Sequence, residues 1–161
     1  MNVICRAIER DDIASICKLF QGLQEEGATV SFVDDISPQT IEKWIEDPNV
    51  SIFVALDEKQ VVGVFRAKRG GKNKEHSAFL TVAVNPEYRG CKLAKRLTLF
   101  SLEKLRELGI KVARAYVYSD NKASINTLLS TRFTLSGCVY QHHYDEKAGE
   151  YVDDLIFHKI L

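Results

Sequence analysis

The sequence predicts an α/β protein in which helices cover both faces of a mixed, largely antiparallel central sheet of about six to seven strands. Apolar segments of strand length alternate with amphipathic helical segments along the chain. Three strands follow one another directly between residues 51 and 84, which indicates antiparallel pairing. The length of 161 residues is typical of one compact domain, so we treat residues 1–161 as a single domain.

The first half of the chain contains one strand, two helices and a three-stranded meander. Residues 3–8 form the first strand, and a helix follows to about Leu23. Residues 25–36 form a loop or broken helix with an acidic bias. Ser37-Pro38 then starts a second helix, because serine caps the first turn and proline suits the first helical position. The meander strands are 51–56, 61–68 and 77–84.

The second half begins with the longest amphipathic helix, Leu93 to Leu108, and Gly109 occupies the place of a left-handed C-cap. Residues 111–118 form the next strand, and residues 123–129 form a short helix. Two closing antiparallel strands complete the order β-α-α-β-β-β-α-β-α-β-β. They are residues 133–141 and 152–160.

Composition excludes several classes of function. Lys and Arg together number 22, as do Asp and Glu, so the chain lacks the basic excess of a general nucleic-acid binder. The four cysteines form no C-x-x-C pair and the four histidines do not repeat at i, i+4 spacing, so we predict no metal site. The apolar runs are too short to span a bilayer, and the chain opens directly with a strand. We therefore expect a cytoplasmic protein without nucleic-acid or membrane partners.

Residues 82–94, VAVNPEYRGCKLA, combine the features of an anion-binding site. The strand stops at Pro86, which cannot donate to a sheet ladder, and a turn containing Gly90 leads into the long helix. Backbone N–H groups at a helix start are unpaired, and the helix dipole favours an anion there. The alternative is an ordinary strand–turn–helix connection with a solvated, basic start. Four cations around the turn suit a pyrophosphate: Arg89, Lys92, Lys95 and Arg96.

This segment resembles the acetyl-CoA pyrophosphate loop of the GNAT superfamily of N-acetyltransferases, in which R/Q-x-x-G-x-G/A follows a strand ending in Val-x-Pro. Arg89 fills the first position and Ala94 the last, whereas Lys92 stands where the family has its middle glycine. A lysine there can still donate its N–H to a phosphate if its φ is negative. Residues 149–159 are similar to the closing strand of members that acetylate small amines or amino acids. Residues 8–16 and 121–133 also resemble family segments.

The resemblance implies acetyl-CoA as acyl donor and assigns a site for it. Val82 and Val84 should lie on the strand that presents its backbone to the pantetheine arm, because that strand splays from its neighbour. Asn121 should hydrogen-bond the same arm, or cap the helix that follows it, and the two roles are compatible. The pyrophosphate should receive N–H groups from Arg89, Gly90, Cys91, Lys92, Leu93 and Ala94, with Lys95 beside them.

Acetyl transfer requires a deprotonated amine and a proton donor for the departing thiolate. The resemblance puts the family's usual tyrosine at Leu128, and the usual glycine before the following phenylalanine at Arg132. The proton must then come from another residue or through a chain of waters, and the best candidate residue is Tyr118, at the end of the strand beside the cofactor cleft. The alternative is that Tyr118 packs against Tyr116 on the same face of the strand. The weaker candidates are Tyr140 and Tyr144.

We expect the acceptor pocket between the loop 25–35 and the closing hairpin 133–151. The negative charge of this loop would attract a cationic amine. We therefore predict acetyl transfer to the primary amine of a small molecule by direct attack, in a protein that can form a homodimer. Two alternatives remain open, a non-catalytic acyl-CoA-binding or regulatory module of the same fold and a protein N-acetyltransferase. The acidic residues of the loop are Glu25, Glu26, Asp34 and Asp35.

Overall fold

A computed structural model describes residues 3–28 and 36–161 and shows a seven-stranded sheet with helices on both faces. The predicted mixed, largely antiparallel architecture is confirmed. The strands are β1 (Val3–Ala7), β2 (Val50–Asp57), β3 (Gln60–Arg69), β4 (Ser77–Val84), β5 (Val112–Tyr118), β6 (Thr134–Asp145) and β7 (Glu150–Ile160). The helices of the described residues are α1 (Ile13–Glu26), α2 (Pro38–Glu46), α3 (Leu93–Glu107) and α4 (Lys122–Ser130). Short 3₁₀ turns lie at Arg10–Asp12 and Pro86–Tyr88.

An opening in the middle of the sheet positions the site. The strand order is β1-β2-β3-β4-β5-β7-β6, and all neighbours are antiparallel except β4 and β5, which the α3 crossover makes parallel. The ladder between β4 and β5 contains only three residue pairs, the last of them Phe79 with Arg114. Both strands continue beyond that pair, so residues 80–84 and 115–118 face each other across a gap.

Two apolar layers lie on opposite faces of the sheet because successive strand residues alternate in direction. On the α3 face, α3 and α4 cover residues of β1 to β5 and β7, so this layer extends to both sides of the opening. On the α1 face, α1 and α2 cover residues of β2, β3 and β4 only. Fully buried members of the α3-face layer include Phe65, Leu97, Leu105 and Phe157. Those of the α1-face layer include Ile16, Phe20, Ile41 and Val54.

The helix termini follow the local sequence. Thr40 donates its backbone N–H to Ser37 Oγ at 3.1 Å, which confirms the predicted cap of α2. The helix α1 runs one turn beyond the predicted Leu23, because Gly27 takes a left-handed conformation (φ 70°) that supplies the C-cap only there. No helix within residues 3–28 and 36–161 is long and apolar enough to cross a membrane.

The closing hairpin is longer than predicted. The strand β6 continues to Asp145 and β7 begins at Glu150, whereas the sequence pattern ended the first strand at residue 141 and began the second at 152. The register shifts between Val139 and His143, where Gln141 has a φ of 49°. Such a bulge interrupts the alternation on which strand prediction depends, so the pattern failed at that point.

Candidate active site

The strand β4 borders the opening with Val82 and Val84, and their contact with a pantetheine arm stays a prediction. Both side chains are half-buried against the α3-face layer. The strand pairs with β3 as far as the pair Gly63–Val84, but its ladder with β5 ends at Phe79. The backbone groups of residues 80–84 that point away from β3 therefore face the opening, where a ligand with amide groups can pair with them.

A tight turn connects β4 to α3. Asn85 Oδ1 accepts a hydrogen bond from the Glu87 N–H at 3.0 Å and so starts the 3₁₀ turn at Pro86. The thiol of Cys91 donates to the Tyr88 carbonyl at 2.7 Å. Gly90 has a φ of 76°, a conformation that favours glycine. Local hydrogen bonds and one glycine thus fix how the chain enters the helix.

The turn leaves a run of backbone donors free at the start of α3. Within the described parts of the chain, the N–H groups of residues 90–95 make no hydrogen bond, and the first paired group is Arg96 N–H, which donates to Lys92 O at 3.0 Å. Leu93 is buried and Ala94 half-buried, so these two residues offer their backbone only. Unpaired N–H groups at the positive end of a 15-residue helix suit a phosphate.

Two details of this loop differ from expectation. The Arg89 N–H is not available to a ligand, since it donates to Pro86 O at 3.1 Å. The φ of Lys92 is positive (64°), whereas we expected that a lysine would need a negative φ to take part. The turn requires a left-handed residue directly before α3, and a residue with a Cβ adopts this conformation at a cost of about 1–2 kcal/mol.

Only two of the four predicted cations are available at the turn. Arg89 donates to Glu26 Oε1 at 2.5 Å and Oε2 at 2.8 Å. Arg96 donates to the Val3 carbonyl at 2.5 Å and so points towards β1. Lys92 and Lys95 form no ion pair with any residue of the described ranges. Lys92 and Lys95 are therefore the cations of the turn that are left to meet an anion, and the prediction was wrong for Arg96.

Asn121 caps α4. Its Oδ1 accepts a hydrogen bond from the Ser124 N–H at 3.1 Å, so the capping alternative is confirmed. Its Nδ2 donates to no residue of the described ranges and remains free for a ligand. The capping bond fixes the orientation of that amide.

Tyr118 is the last residue of β5, at the wide end of the opening. Its ring stacks on His143, with centroids 4.8 Å apart and planes inclined by 10°. The proposed packing partner Tyr116 contacts Phe79 instead, at 5.2 Å. The aromatic partner of Tyr118 is thus a histidine from β6. Leu128, at the family's tyrosine position, is 5% exposed in the α3-face layer.

The weaker tyrosine candidates lie farther along the hairpin. Tyr140 is 75% exposed, and Tyr144 packs on Tyr151 with centroids 5.0 Å apart near the hairpin turn. Tyr118 at the end of β5 is opposite Asp154 of β7, and Asp154 is opposite Val139 of β6. Neither Tyr140 nor Tyr144 therefore occupies the register position of Tyr118. Tyr118 therefore remains the tyrosine nearest to the opening among these candidates.

Sequence reasoning missed Asp154 and His143. The register places Asp154 between Tyr118 on β5 and Val139 on β6, all on the α1 face. Burial raises the pKa of Asp154, and the charge of His142 acts in the opposite direction. A signal was present, because an acid stands at the alternate position between the apolar residues Val152 and Ile156 of the strand.

The acceptor side is bounded by the hairpin and the end of α1. Lys147 Nζ lies 3.4 Å from the Gly27 carbonyl, so the hairpin turn contacts the helix. The predicted negative side is weaker than expected. Glu26 pairs with Arg89, which lowers the pKa of Glu26, and Glu25 accepts from Gln21 Nε2 at 3.0 Å. Asp34 and Asp35 lie outside the described residues.

The described ranges contain no group of three or more His, Cys, Asp or Glu side chains arranged to hold a metal ion. The cysteines are free thiols, and burial raises the pKa of Cys5 and Cys17. A raised pKa lowers the thiolate fraction, so these two are poor nucleophiles.

Comparison with known proteins agrees with this geometry. A model of the acetyltransferase (GNAT) family matches residues 14–129. The mycothiol acetyltransferase of Nocardiopsis dassonvillei is 27% identical over 133 residues, which make up 76% of this chain and 38% of that protein. The chain spans 32–38% of the length of the curated relatives it matches.

Two solved structures share the fold over nearly the whole chain. A ribosomal-protein-alanine N-acetyltransferase from Brucella melitensis is 25% identical, with a TM-score of 0.84 over 98% of this chain and 99% of that one. A putative acetyltransferase from Salmonella typhimurium, solved with its cofactor acetyl-CoA, is 20% identical, with a TM-score of 0.88 over 100% of this chain and 95% of that one.

Proposed function

Because the chain belongs to the acetyltransferase (GNAT) family, we propose that this acetyl-CoA-dependent enzyme transfers an acetyl group to the primary amine of a small molecule by direct attack. The observation that carries the proposal is the opening between β4 and β5, which lies directly before the free N–H groups at the start of α3. Together they offer an extended amide-binding edge and an anion site in one continuous channel.

The described residues fit acetyl-CoA. The N–H groups of residues 90–95 can receive the pyrophosphate, with Lys92 and Lys95 supplying positive charge. The free edge of β4 at Val82 and Val84, together with Asn121 Nδ2, can hydrogen-bond the pantetheine arm. Bound acetyl-CoA supplies an activated acetyl thioester at the wide end of the opening.

Tyr118 provides the proton at that end. During transfer a bond forms between the amine nitrogen and the acetyl carbon, and the carbon–sulfur bond breaks. The departing sulfur takes the Tyr118 hydroxyl proton, and the tyrosine recovers a proton from the amine nitrogen. A tyrosine can act as an acid at neutral pH since its ordinary pKa is about 10.

A small acceptor is supported by the contact between the hairpin turn and the end of α1. The hairpin turn reaches the end of α1 through Lys147, which narrows the space available to a folded protein. The curated relatives are mycothiol acetyltransferases, which are named for a small molecule.

Two other functions remain candidates. The similarity to a ribosomal-protein-alanine N-acetyltransferase at 25% identity favours acetylation of a protein terminus. A non-catalytic acyl-CoA-binding module is favoured by Leu128, which carries no proton at the family's tyrosine position.

Two measurements test the proposal. Acetyl-CoA at 100 times its Kd should stabilise the protein by about 2.7 kcal/mol, which a thermal melt detects. Release of free thiol in the presence of a panel of small amines then separates an enzyme from a binding module, and a panel of peptides with free amino termini tests the protein acceptor. A melting curve unmoved by saturating acetyl-CoA contradicts the cofactor assignment.

We further propose that β6 mediates a homodimer. This 12-residue strand is an edge of the sheet, so one side of its backbone pairs with no strand of residues 3–28 and 36–161. It also exposes apolar side chains, including Leu135 at 53% and Tyr140 at 75%. The net charge of zero adds no overall repulsion between two copies. Light scattering after gel filtration should give twice the chain mass, and Leu135→Lys should yield the monomer.

A further inference from the structure

Three chemically active side chains meet at the end of the sheet on the α1 face. Tyr118 of β5 is directly opposite Asp154 of β7. His143 of β6 is opposite Val152, two residues before Asp154 on the same face, and its ring stacks on Tyr118 at 4.8 Å. Neighbouring strands lie about 4.8 Å apart, so the Asp154 carboxylate is one strand away from the proposed proton donor.

Among the acids of residues 3–28 and 36–161 that are buried or half-buried, Asp154 alone has no hydrogen-bond or ion-pair partner. Asp12 accepts two hydrogen bonds from Arg6, and Asp57 accepts one from the Tyr88 hydroxyl at 2.8 Å. The neighbouring Asp153 accepts the Gln141 N–H at 2.8 Å. Asp154 makes no hydrogen bond or ion pair within the described ranges, although it is half-buried. A half-buried acid without a partner is costly to maintain, and such groups concentrate at functional sites.

The surroundings favour a basic carboxylate. Val152 is 5% exposed and lies on the same face, as does Val139 across the ladder. Loss of solvent raises the pKa of Asp154, while the charge of His142 lowers it. Within the described ranges, the titratable groups near it are Tyr118 from β5 and three residues of β6, Cys138, His142 and His143.

We propose that Asp154 is the general base that removes the proton from the acceptor ammonium, directly or through one water. The inference rests on the proposed function. Asp154 takes one proton from R–NH₃⁺ and later releases it to solvent. The neutral nitrogen then bonds to the acetyl carbon, and its second proton replaces the one that Tyr118 gives to the departing sulfur. The products are an amide with one N–H, a thiol and one solvent proton.

The raised pKa gives a test that separates catalysis from folding. A carboxyl whose folded-state pKa lies above its unfolded value favours the folded state below the unfolded pKa, and that contribution is lost as pH rises through the folded pKa. At neutral pH the ionised Asp154 therefore opposes folding. Asp154→Asn should therefore leave the melting temperature at pH 7 unchanged or slightly higher, although the variant lacks the proposed base.

The experiment compares Asp154→Asn with Asp153→Asn, the adjacent acid on the opposite face of β7. Using the best amine from the panel, we expect kcat/KM at pH 7 to fall about 100-fold or more in Asp154→Asn. In this variant kcat/KM should rise about tenfold per pH unit until the amine itself deprotonates, whereas wild type should reach a plateau earlier. Acetyl-CoA should shift the melting temperature equally in all three proteins.

The outcomes are distinguishable. The assignment of Asp154 is overturned if the wild type acetylates an amine and kcat/KM of Asp154→Asn at pH 7 lies within about threefold of the wild-type value. It is also overturned if Asp153→Asn lowers kcat/KM as much as Asp154→Asn does. Neither outcome contradicts the acetyltransferase function. A wild-type protein that binds acetyl-CoA and acetylates no amine overturns the proposed function and this inference with it.

Discussion

The start of α3 and the far end of the sheet differ in how the chain builds them. The first is local, because β4, its turn and the helix follow one another within residues 77–107. The second brings together Tyr118, His143 and Asp154 from three strands. Tyr118 and His143 are 25 positions apart in the sequence, and His143 and Asp154 are 11 positions apart. A short motif can therefore reveal the cofactor side, whereas the acceptor side depends on strand register.

The two regions also differ in how they satisfy polar groups. At the start of α3, consecutive N–H groups stay unpaired because a helix always leaves its first donors free. At the end of β5–β7–β6, Asp154 has no partner in the part of the chain that the structure describes, although nearby donors exist. The first is a general property of helices that a ligand can use, and the second is specific to this chain.

The largest effect is expected at the turn. Gly90→Pro should reduce acetyl-CoA affinity by at least about 100-fold, because it removes one donor and cannot adopt the φ of 76°. The preceding Arg89 already has backbone angles that a following proline accepts (φ −72°, ψ 156°), so the fold should survive. Calorimetric titration and circular dichroism measure the two properties. Affinity close to wild type would show that the turn does not bind the pyrophosphate.

The second prediction concerns the far end. Tyr118→Phe should lower kcat about 10- to 100-fold and leave acetyl-CoA affinity within a few-fold, since the stacking ring stays and only the hydroxyl is lost. Tyr116→Phe is the matched control, because Tyr116 lies two residues earlier on the same face and packs on Phe79. Steady-state kinetics with single-turnover measurements give the answer. An unchanged kcat in Tyr118→Phe, with chemistry rate-limiting, removes Tyr118 from the mechanism.

The third prediction compares two left-handed residues. Lys92 and Arg132 have φ values of 64° and 65°, and both stand where the family has glycine. Each replacement by glycine relieves backbone strain and should stabilise the protein by about 0.5–1 kcal/mol. Arg132→Gly should leave acetyl-CoA affinity unchanged, whereas Lys92→Gly should leave it unchanged or raise it, because the free N–H groups and Lys95 remain at the turn. A large loss of affinity there would identify the Lys92 ammonium as a main phosphate contact.

The smallest effect is expected for the ion pair between Glu26 of α1 and Arg89 of the turn. Glu26→Gln frees the Arg89 guanidinium, so acetyl-CoA should bind about two- to threefold tighter at low salt. Glu25→Gln is the control, because Glu25 contacts Gln21 on the same helix and not the turn. Weaker binding in Glu26→Gln would mean that the pair holds the turn in its binding conformation.

The sequence predicted the order of elements and the strand β4 to the residue, because its apolar alternation and Pro86 define both ends. The turn from β4 into α3 was predictable for the same reason. The predictions that failed depended on contacts between residues that are far apart in the sequence. Glu26 is 63 positions from Arg89 in the sequence, and no pattern in either segment predicts that they form an ion pair. The stacking of Tyr118 on His143 depends on a bulge around Gln141, whose residue type does not suggest a left-handed conformation.

The short ladder between β4 and β5 also affects how the molecule opens. Three residue pairs join a four-stranded half of the sheet to a three-stranded half, so the α3-face layer provides most of the connection between them. The α1-face layer belongs to the four-stranded half alone. Hydrogen exchange should therefore resolve two cooperative units. Truncating Leu97 or Leu105 on α3 lowers protection in both units, whereas truncating Ile41 on α2 lowers it in the four-stranded half first.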